Sequence, residues 1–418
     1  MNTRKIIDEF SYAAPRVVGI LISLLTTLGL IFTLFVTGGS SAPSASSGTS
    51  SSPTSKRPPS PTPPPSATDS AITSDAQPSP ETALPPNTTT PSANASPSEE
   101  LPSVTSRPQT PMKPEPLLPV TAWAAPEPRM LNIPTHEGSG QGTHPSVLYF
   151  EDGWNGYKYW MAFTPYPKNS NFEEDPNIVV SNDGDHWEVP QGLTNPLDDA
   201  PGDKAGYNSD TNLAFHDGRL YLTWRRVTPQ QTNEFYLMTS SDGVHWTDKK
   251  LIFNQGAVSQ ALVRVGDKWR FYAIQGLRAK ENVLVYWESD LDVPTPESWS
   301  EKVICNMNPL GPVYEPWHVD VQKVGDEWYG LVADTEFDRN GVRGRVHFMR
   351  SSDGINWELS QTPLFPTSGK NYNAHYKSGF VASGTGNNLK LDVFAAFLDT
   401  NSRDWHIGRT TASALKDN

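Results

Sequence analysis

The sequence predicts an all-β module, a five-bladed β-propeller, set behind one transmembrane helix and a long disordered spacer. Three observations predict it. A turn motif recurs as "SNDGDHW" at Ser181–Trp187, "SSDGVHW" at Ser240–Trp246 and "SSDGINW" at Ser351–Trp357. A degraded copy, "SDLDVPTPESW", ends on Trp299. Trp187, Trp246, Trp299 and Trp357 then recur with a period of roughly 57 residues, which marks a repeated supersecondary unit. Finally, all 13 Trp lie at or after Trp123, and no Phe, Trp or Tyr occurs from Val36 to Ala122. The apolar mass of the 418 residues is therefore concentrated in one module.

The N-terminal device occupies residues 1–37. "VVGILISLLTTLGLIFTLFV", residues 17–36, carries no charge. Its length matches the run of about 20 residues that spans the hydrocarbon core of a bilayer. Arg4, Lys5 and Arg16 precede it, and no Lys or Arg follows until Lys56. This asymmetry orients the N-terminus to the cytoplasm and the remainder outside. A cleaved signal peptide is the alternative, but its apolar region is usually shorter. The expectation is a single-pass membrane protein whose large module is extracellular.

Residues 38–120 form the spacer. Of the 39 Pro, 20 fall between Ala42 and Val120. A Ser/Thr/Pro-rich segment has too little apolar surface to offset its ordering entropy. Its Pro content biases it to extended polyproline II at about 3.1 Å per residue, a reach of up to roughly 250 Å.

Residues 121–418 form the propeller module. Each unit opens on an apolar run: "SVLYF", "TNLAFHDG", "ALVRVGD", "VDVQKVGD" and "SGFVASG". An aromatic-rich strand follows, as in "YKYWMAF" or "KWRFYAI". A third strand runs into the turn motif, and a short fourth follows its Trp ("HWEV", "HWTD", "NWEL"). Alternation, β-branched and aromatic content, and Gly/Asp/Asn turns all indicate strands. Four strands per unit in five units make a five-bladed propeller. In the motif, Asp accepts nearby backbone N–H groups, Gly supplies a positive φ, and Trp fills the gap between blades. The fifth unit lacks its Trp. Cys305, the single cysteine, has no intrachain partner.

Composition excludes some functions. The formal charge is -13, which argues against nucleic-acid binding, and no G-x-S-x-G hydrolase elbow is present. The spacing of its residues matches no metal signature, so neither a metal nor a cofactor is assigned. The module is expected to be monomeric.

Five blades with S-x-D-[GL]-x-x-W turns resemble the propeller glycoside hydrolases, families 43 and 32 with their relatives 117 and 130. The resemblance covers the chain from about Gly138 onward, and it implies a site where the innermost strands begin around a central funnel. The residues there are His144 in "GTHPS", Asp210 in "YNSDTN", Gln260 in "AVSQA", Glu315, Trp317, His318 and Asp320 in "YEPWHVD", and His375 with Lys377 in "NAHYKS". Glycoside hydrolysis generally uses two carboxyl groups flanking the bond. Glu315, followed by Pro316, resembles the family's general acid, and Trp317 beside it is expected to stack on sugar or desolvate that carboxyl. Family 43 and 32 enzymes carry an Asp at the start of the first blade, whereas this chain has His144-Pro145. Asp210 is therefore the expected base. His144, His318, His375, Gln260, Asp320 and Lys377 are expected to bind substrate, as is Arg225 of "TWRRV", for which an interblade salt bridge is an equal alternative. The three His are also chemically sufficient for a metal. The function that the resemblance implies is a membrane-tethered, extracytoplasmic glycoside hydrolase with a polysaccharide or other glycan as its partner; the alternative is a non-catalytic cell-surface carbohydrate-binding or adhesion module.

Overall fold

The computed structural model describes residues 120–276, 282–311, 313–336, 344–384 and 388–415. The expected transmembrane helix and residues 38–119 of the expected spacer lie outside these residues; Val120, the last residue of that spacer, is instead buried and bridges Ser360. Among the described residues no helix is long and apolar enough to cross a membrane.

Two short strands come first, β1 (Trp123–Ala124) and β2 (Arg129–Met130). Blade 1 comprises β3 (Gly142–Trp154), β4 (Tyr157–Pro165) and β5 (Asn177–Ser181). Blade 2 comprises β6 (Tyr207–His216), β7 (Arg219–Val227), β8 (Asn233–Ser240) and β9 (Lys250–Phe253). Blade 3 comprises β10 (Val258–Val265), β11 (Lys268–Gly276), β12 (Asn282–Ser289) and β13 (Val303–Ile304). After β14 (Asn306–Met307), blade 4 comprises β15 (Tyr314–Val324), β16 (Glu327–Glu336), β17 (Val346–Ser351) and β18 (Asn356–Leu359). Blade 5 comprises β19 (Tyr372–Ser383), β20 (Lys390–Asp399) and β21 (Trp405–Ala414). The five-bladed all-β architecture is thus observed.

Two details differ from the expected four-strand unit. Blade 1 keeps only an isolated bridge, Val180 to Glu188, in place of the strand expected at "HWEV". In blade 2 the fourth strand begins at Lys250, beyond "HWTD". The turn motif uses the intervening residues in its own hydrogen bonds. Ser240 Oγ accepts the Gly243 amide at 2.8 Å, and Asp242 Oδ1 accepts those of Val244 and His245 at 2.8 Å each. Gly243 has φ +79, and a Cβ there would stand 2.1 Å from the Trp160 ring of blade 1. Only glycine satisfies both the conformation and the approach.

The motif tryptophans fill the seams. Trp187 meets Phe394 of blade 5 at 5.8 Å between ring centroids, Trp246 packs with the cluster around Trp160 of blade 1, Trp299 lies 6.2 Å from Phe253 of blade 2, and Trp357 lies 6.0 Å from Tyr272 of blade 3. The seam between blades 4 and 5 has no motif Trp. Trp123 takes that place, stacking on Phe348 at 4.2 Å within a cluster drawn from both blades. β1 and β2 both pair antiparallel with β21, so residues upstream of blade 1 complete blade 5.

The innermost strands share an irregularity that positions the site. Register shifts interrupt β3 between Thr143 and Ser146, β6 between Ser209 and Asn212, β10 between Val258 and Ala261, β15 between Pro316 and His318, and β19 between His375 and Ser378. Bulges of this kind re-aim side chains. At three of them a non-glycine residue is left-handed: His144 (φ 54), Asp210 (φ 51) and Ser259 (φ 52). Such backbone strain concentrates at functional sites. Just past each bulge the blades are stitched together. Leu213 N donates to Ser146 Oγ at 2.9 Å, Leu262 N to Asn212 Oδ1 at 2.9 Å, Val319 N to Ser259 Oγ at 2.9 Å and Phe380 N to Asp320 Oδ2 at 3.3 Å.

Candidate functional site

The bulges bring His144, Asp210 and His318 together from blades 1, 2 and 4. One ligand atom from each lies within 4.8 Å of the others, and all three residues are buried. His144 Nε2 stands 3.4 Å from Asp210 Oδ1, and His318 Nδ1 stands 3.4 Å from the same oxygen. Among the described residues, none of these three atoms has a hydrogen-bond partner, nor has His318 Nε2. Buried polar atoms are nearly always satisfied, so four orphaned atoms in one place need a reason.

The electrostatics sharpen the point. Burial drives the His144 imidazole down to about 3 and that of His318 well below its usual value, so both rings are neutral near pH 7. Burial opposes the Asp210 charge, but Arg225, His144, Lys377 and His318 outweigh it and hold the carboxyl well below its usual range. Arg225 Nε donates to Asp210 Oδ2 at 2.6 Å, and the Ser259 amide donates to the same atom at 3.3 Å. His144 Nδ1 faces Thr164 Oγ1 at 2.9 Å and Glu174 Oε1 at 3.2 Å. In the tautomer whose Nδ1 proton these oxygens accept, the Nε2 lone pair is turned toward an ionised carboxylate oxygen.

Glu174 is a site residue that sequence reasoning missed. It follows a 3₁₀ turn, Asn171–Glu173, between β4 and β5, and accepts Ser209 Oγ at 2.7 Å. Burial pushes its carboxyl up to about 8. Tyr376, between His375 and Lys377 in "NAHYKS", stands on the blade 5 bulge. Its ring stands edge-on to His318 at 4.3 Å and to His144 at 5.3 Å.

The other expected site residues divide. Lys377 is buried and donates to Thr211 O at 3.2 Å, linking blade 5 to blade 2. Burial lowers its pKa, against the pull of Asp210 and Asp320. Gln260 Nε2 donates to Asp210 O and to Thr223 Oγ1, supporting the strained peptide from behind. Arg225 pairs with Asp210 inside blade 2, which makes it a support for that carboxylate. Trp317 lies 6.1 Å from the His318 ring and donates to Tyr376 Oη at 3.3 Å. Asp320 accepts the Phe380 amide, so it belongs to the seam between blades 4 and 5; burial raises its pKa to about 6. His375 precedes its bulge and packs among Phe365, Tyr372 and Phe397. Its described contacts are with that apolar cluster, not with His144 or His318. Glu315 accepts the Asn282 amide at 2.9 Å, at the head of β12. The carboxyl found touching the His144 ring on its Nδ1 side is therefore Glu174, a loop residue, and not the expected acid Glu315.

Comparison with known proteins agrees with this architecture. No family model matches the sequence. An A type blood N-acetyl-α-D-galactosamine deacetylase from Flavonifractor plautii is 28% identical over 264 residues, which cover 52% of this chain. The match spans only 34% of that relative's length. Among solved structures, an N-acetylgalactosamine deacetylase from F. plautii, in complex with blood group B trisaccharide, superposes with a TM-score of 0.61 at 22% identity. It covers 70% of this chain and 95% of that one. A xylan β-1,4-xylosidase from Bacillus halodurans C-125 superposes with a TM-score of 0.50 at 16% identity, covering 67% of this chain and 53% of that one. A thermostable family-43 glycoside hydrolase gives 0.50 at 12%, covering 67% and 94%. The fold is the five-bladed propeller shared with these carbohydrate-active enzymes.

Proposed function

We propose that the chain is a carbohydrate-active hydrolase whose reaction centre is His144, Asp210 and His318, and that it removes an acyl group from an acetamido sugar within a glycan. One observation carries the reading: three buried residues from three blades aim unpartnered donor atoms at one point. A neutral imidazole lone pair facing a carboxylate oxygen at 3.4 Å is repulsive unless a cation stands between them. That separation is also what two donors on a tetrahedral ion with bonds of about 2.1 Å require. Two imidazoles and one carboxylate form a recurrent catalytic zinc set, with a fourth position open. A divalent ion held by these three would polarise a carbonyl oxygen and acidify water.

The chain's own groups do the positioning. Thr164 and Glu174 fix the His144 ring, as the outer hydrogen-bond partners of metal-binding imidazoles do. Arg225 and the Ser259 amide fix Asp210. Hydrolysis bonds water's oxygen to the carbonyl carbon and breaks the C–N bond, giving a carboxylate and an ammonium group. The F. plautii relative, named for deacetylation of N-acetylgalactosamine, supports an acetamido sugar as substrate. The apolar segment at residues 17–36 and the spacer at 38–120 support a membrane-tethered, extracytoplasmic placement acting on polysaccharide.

Glycosidic cleavage by Glu315 and Asp210 is the second reading. It needs Asp210 to meet water or sugar, whereas that carboxylate is buried and ion-paired with Arg225. The test is product analysis on N-acetylated and non-acetylated oligosaccharides after chelation and after zinc reconstitution. Acetate release that zinc restores and that His318→Ala abolishes supports the proposal. Reducing ends without acetate support a glycosidase, and glycan binding without either product supports an adhesion module.

A further inference from the structure

Tyr376 occupies, in blade 5, the bulge position that His144, Asp210 and Ser259 occupy in blades 1 to 3. Its surroundings are unlike theirs. His144, Asp210, His318 and Lys377 are buried, while Tyr376 keeps partial exposure. Part of the residue is therefore open to solvent. Two edge-on contacts, 4.3 Å to the His318 ring and 5.3 Å to the His144 ring, fix the phenol between two of the three central residues. Trp405, 5.9 Å away, backs the ring. The hydroxyl oxygen accepts the Trp317 indole N–H at 3.3 Å. That bond uses an oxygen lone pair and leaves the phenolic proton to donate. Among the described residues the proton meets no acceptor.

We propose that Tyr376 is a catalytic residue that donates its hydroxyl hydrogen bond to the carbonyl oxygen of the acyl group as that oxygen becomes anionic. The proposal rests on the reading of His144, Asp210 and His318 given above. As water's oxygen bonds to the carbonyl carbon, the π pair of the C=O bond moves onto the carbonyl oxygen. The Tyr376 O–H stabilises that charge without giving up its proton. Collapse re-forms the C=O bond and breaks the C–N bond as the proton released by the attacking water is transferred to the nitrogen, which leaves as a neutral amine. A donor already in place at developing charge costs no reorganisation during the reaction. Trp317 then acts as a positioning residue, because its N–H sets the rotation of the Tyr376 hydroxyl.

The decisive variant is Tyr376→Phe, which keeps the ring between the two imidazoles and removes only the hydroxyl. In the full chain loaded with zinc, acetate release from an N-acetylgalactosaminide is expected to fall about 10²- to 10³-fold in kcat, as for loss of one oxyanion donor. KM is expected to stay within about threefold, because the interaction is made only in the transition state. Zinc affinity, measured by calorimetry with the metal alone, should be unchanged, and Trp317→Phe should show a smaller loss of the same kind. Binding of methylphosphonate, a tetrahedral anion, to zinc-loaded protein supplies a readout that does not depend on turnover. Affinity at least tenfold weaker in Tyr376→Phe supports the proposal. A variant that keeps kcat within threefold of wild type, or binds methylphosphonate equally well, overturns it. Failure of the reaction-centre reading looks different: wild type and His318→Ala would then bind zinc equally poorly.

Discussion

Replacing His375 with leucine should make the propeller less sensitive to acid. The ring is 1% exposed, and neither nitrogen has a partner among the described residues. Burial alone lowers its pKa from 6.5 to about 4. The sign follows from linkage. Between those values the unfolded chain binds a proton that the folded chain refuses, so stability is lost as pH falls from 6.5 toward 4. At about 1.36 kcal/mol per unit, the loss attributable to this ring is about 2 kcal/mol at pH 5 and is negligible at pH 8. Leucine has nearly the same volume, suits the Phe365, Tyr372 and Phe397 cluster, and cannot protonate. The assay is urea unfolding of wild type and His375→Leu at pH 8 and pH 5. By the same linkage, the drop in unfolding free energy from pH 8 to pH 5 should be smaller in the variant by about 2 kcal/mol. Other acid-titrating groups cancel in this double difference. A ring that stays neutral only weakly would give less than about 0.5 kcal/mol, a shift of under half a pKa unit. That result would refute the claim that burial keeps His375 neutral.

Other expectations are more direct. Asp210→Asn should abolish zinc binding at the centre, read by calorimetry, because the shared anionic oxygen that both imidazoles face would be gone. Gly243→Ala should destabilise the module by about 3 kcal/mol or more, or prevent folding, since its Cβ would collide with Trp160 at a positive φ; thermal unfolding or soluble yield reports this. Trp123→Ala should cost about 3–5 kcal/mol, as removal of a buried aromatic from a core does, and a denaturation midpoint near that of wild type would contradict its role in the seam. Gly379→Ala should also lower the thermal midpoint, because its Cβ would stand 2.7 Å from Pro145 O where blade 5 meets blade 1.

The architecture is legible because a propeller repeats. One turn motif, read three times, fixes the period, and strand alternation fills in the rest. The site is legible only where it follows that repeat. His144, Asp210 and His318 stand out because each lies where an innermost strand begins. Glu174 does not, since it sits in a loop between the second and third strands of blade 1, outside any repeating position. "FEEDPN", with adjacent acids before a Pro, is the available signal. Glu315 is expected only from its resemblance to a family acid; its carboxylate accepts the Asn282 amide. His375 and Asp320 are over-read because bulge registers are not visible in sequence. A shift of one residue decides whether a side chain faces the axis or the core, and here it selects Tyr376 over His375. Trp123 lies too far from the fifth unit to be recognised as its missing Trp.

The strands at Trp123–Ala124 and Arg129–Met130 do more than finish a sheet. They begin just after the proline-rich part of the sequence, so a load applied to the chain upstream of Trp123 would arrive first at the pairing with β21. The ring would then be loaded at its own clasp, and detaching that short segment would open the circle along the seam that Trp123 fills. For anyone trimming the protein for crystallisation or display, the same clasp sets the boundary. Starting at Gly138, where similarity to the repeat first becomes visible, would discard the piece that holds the blades shut.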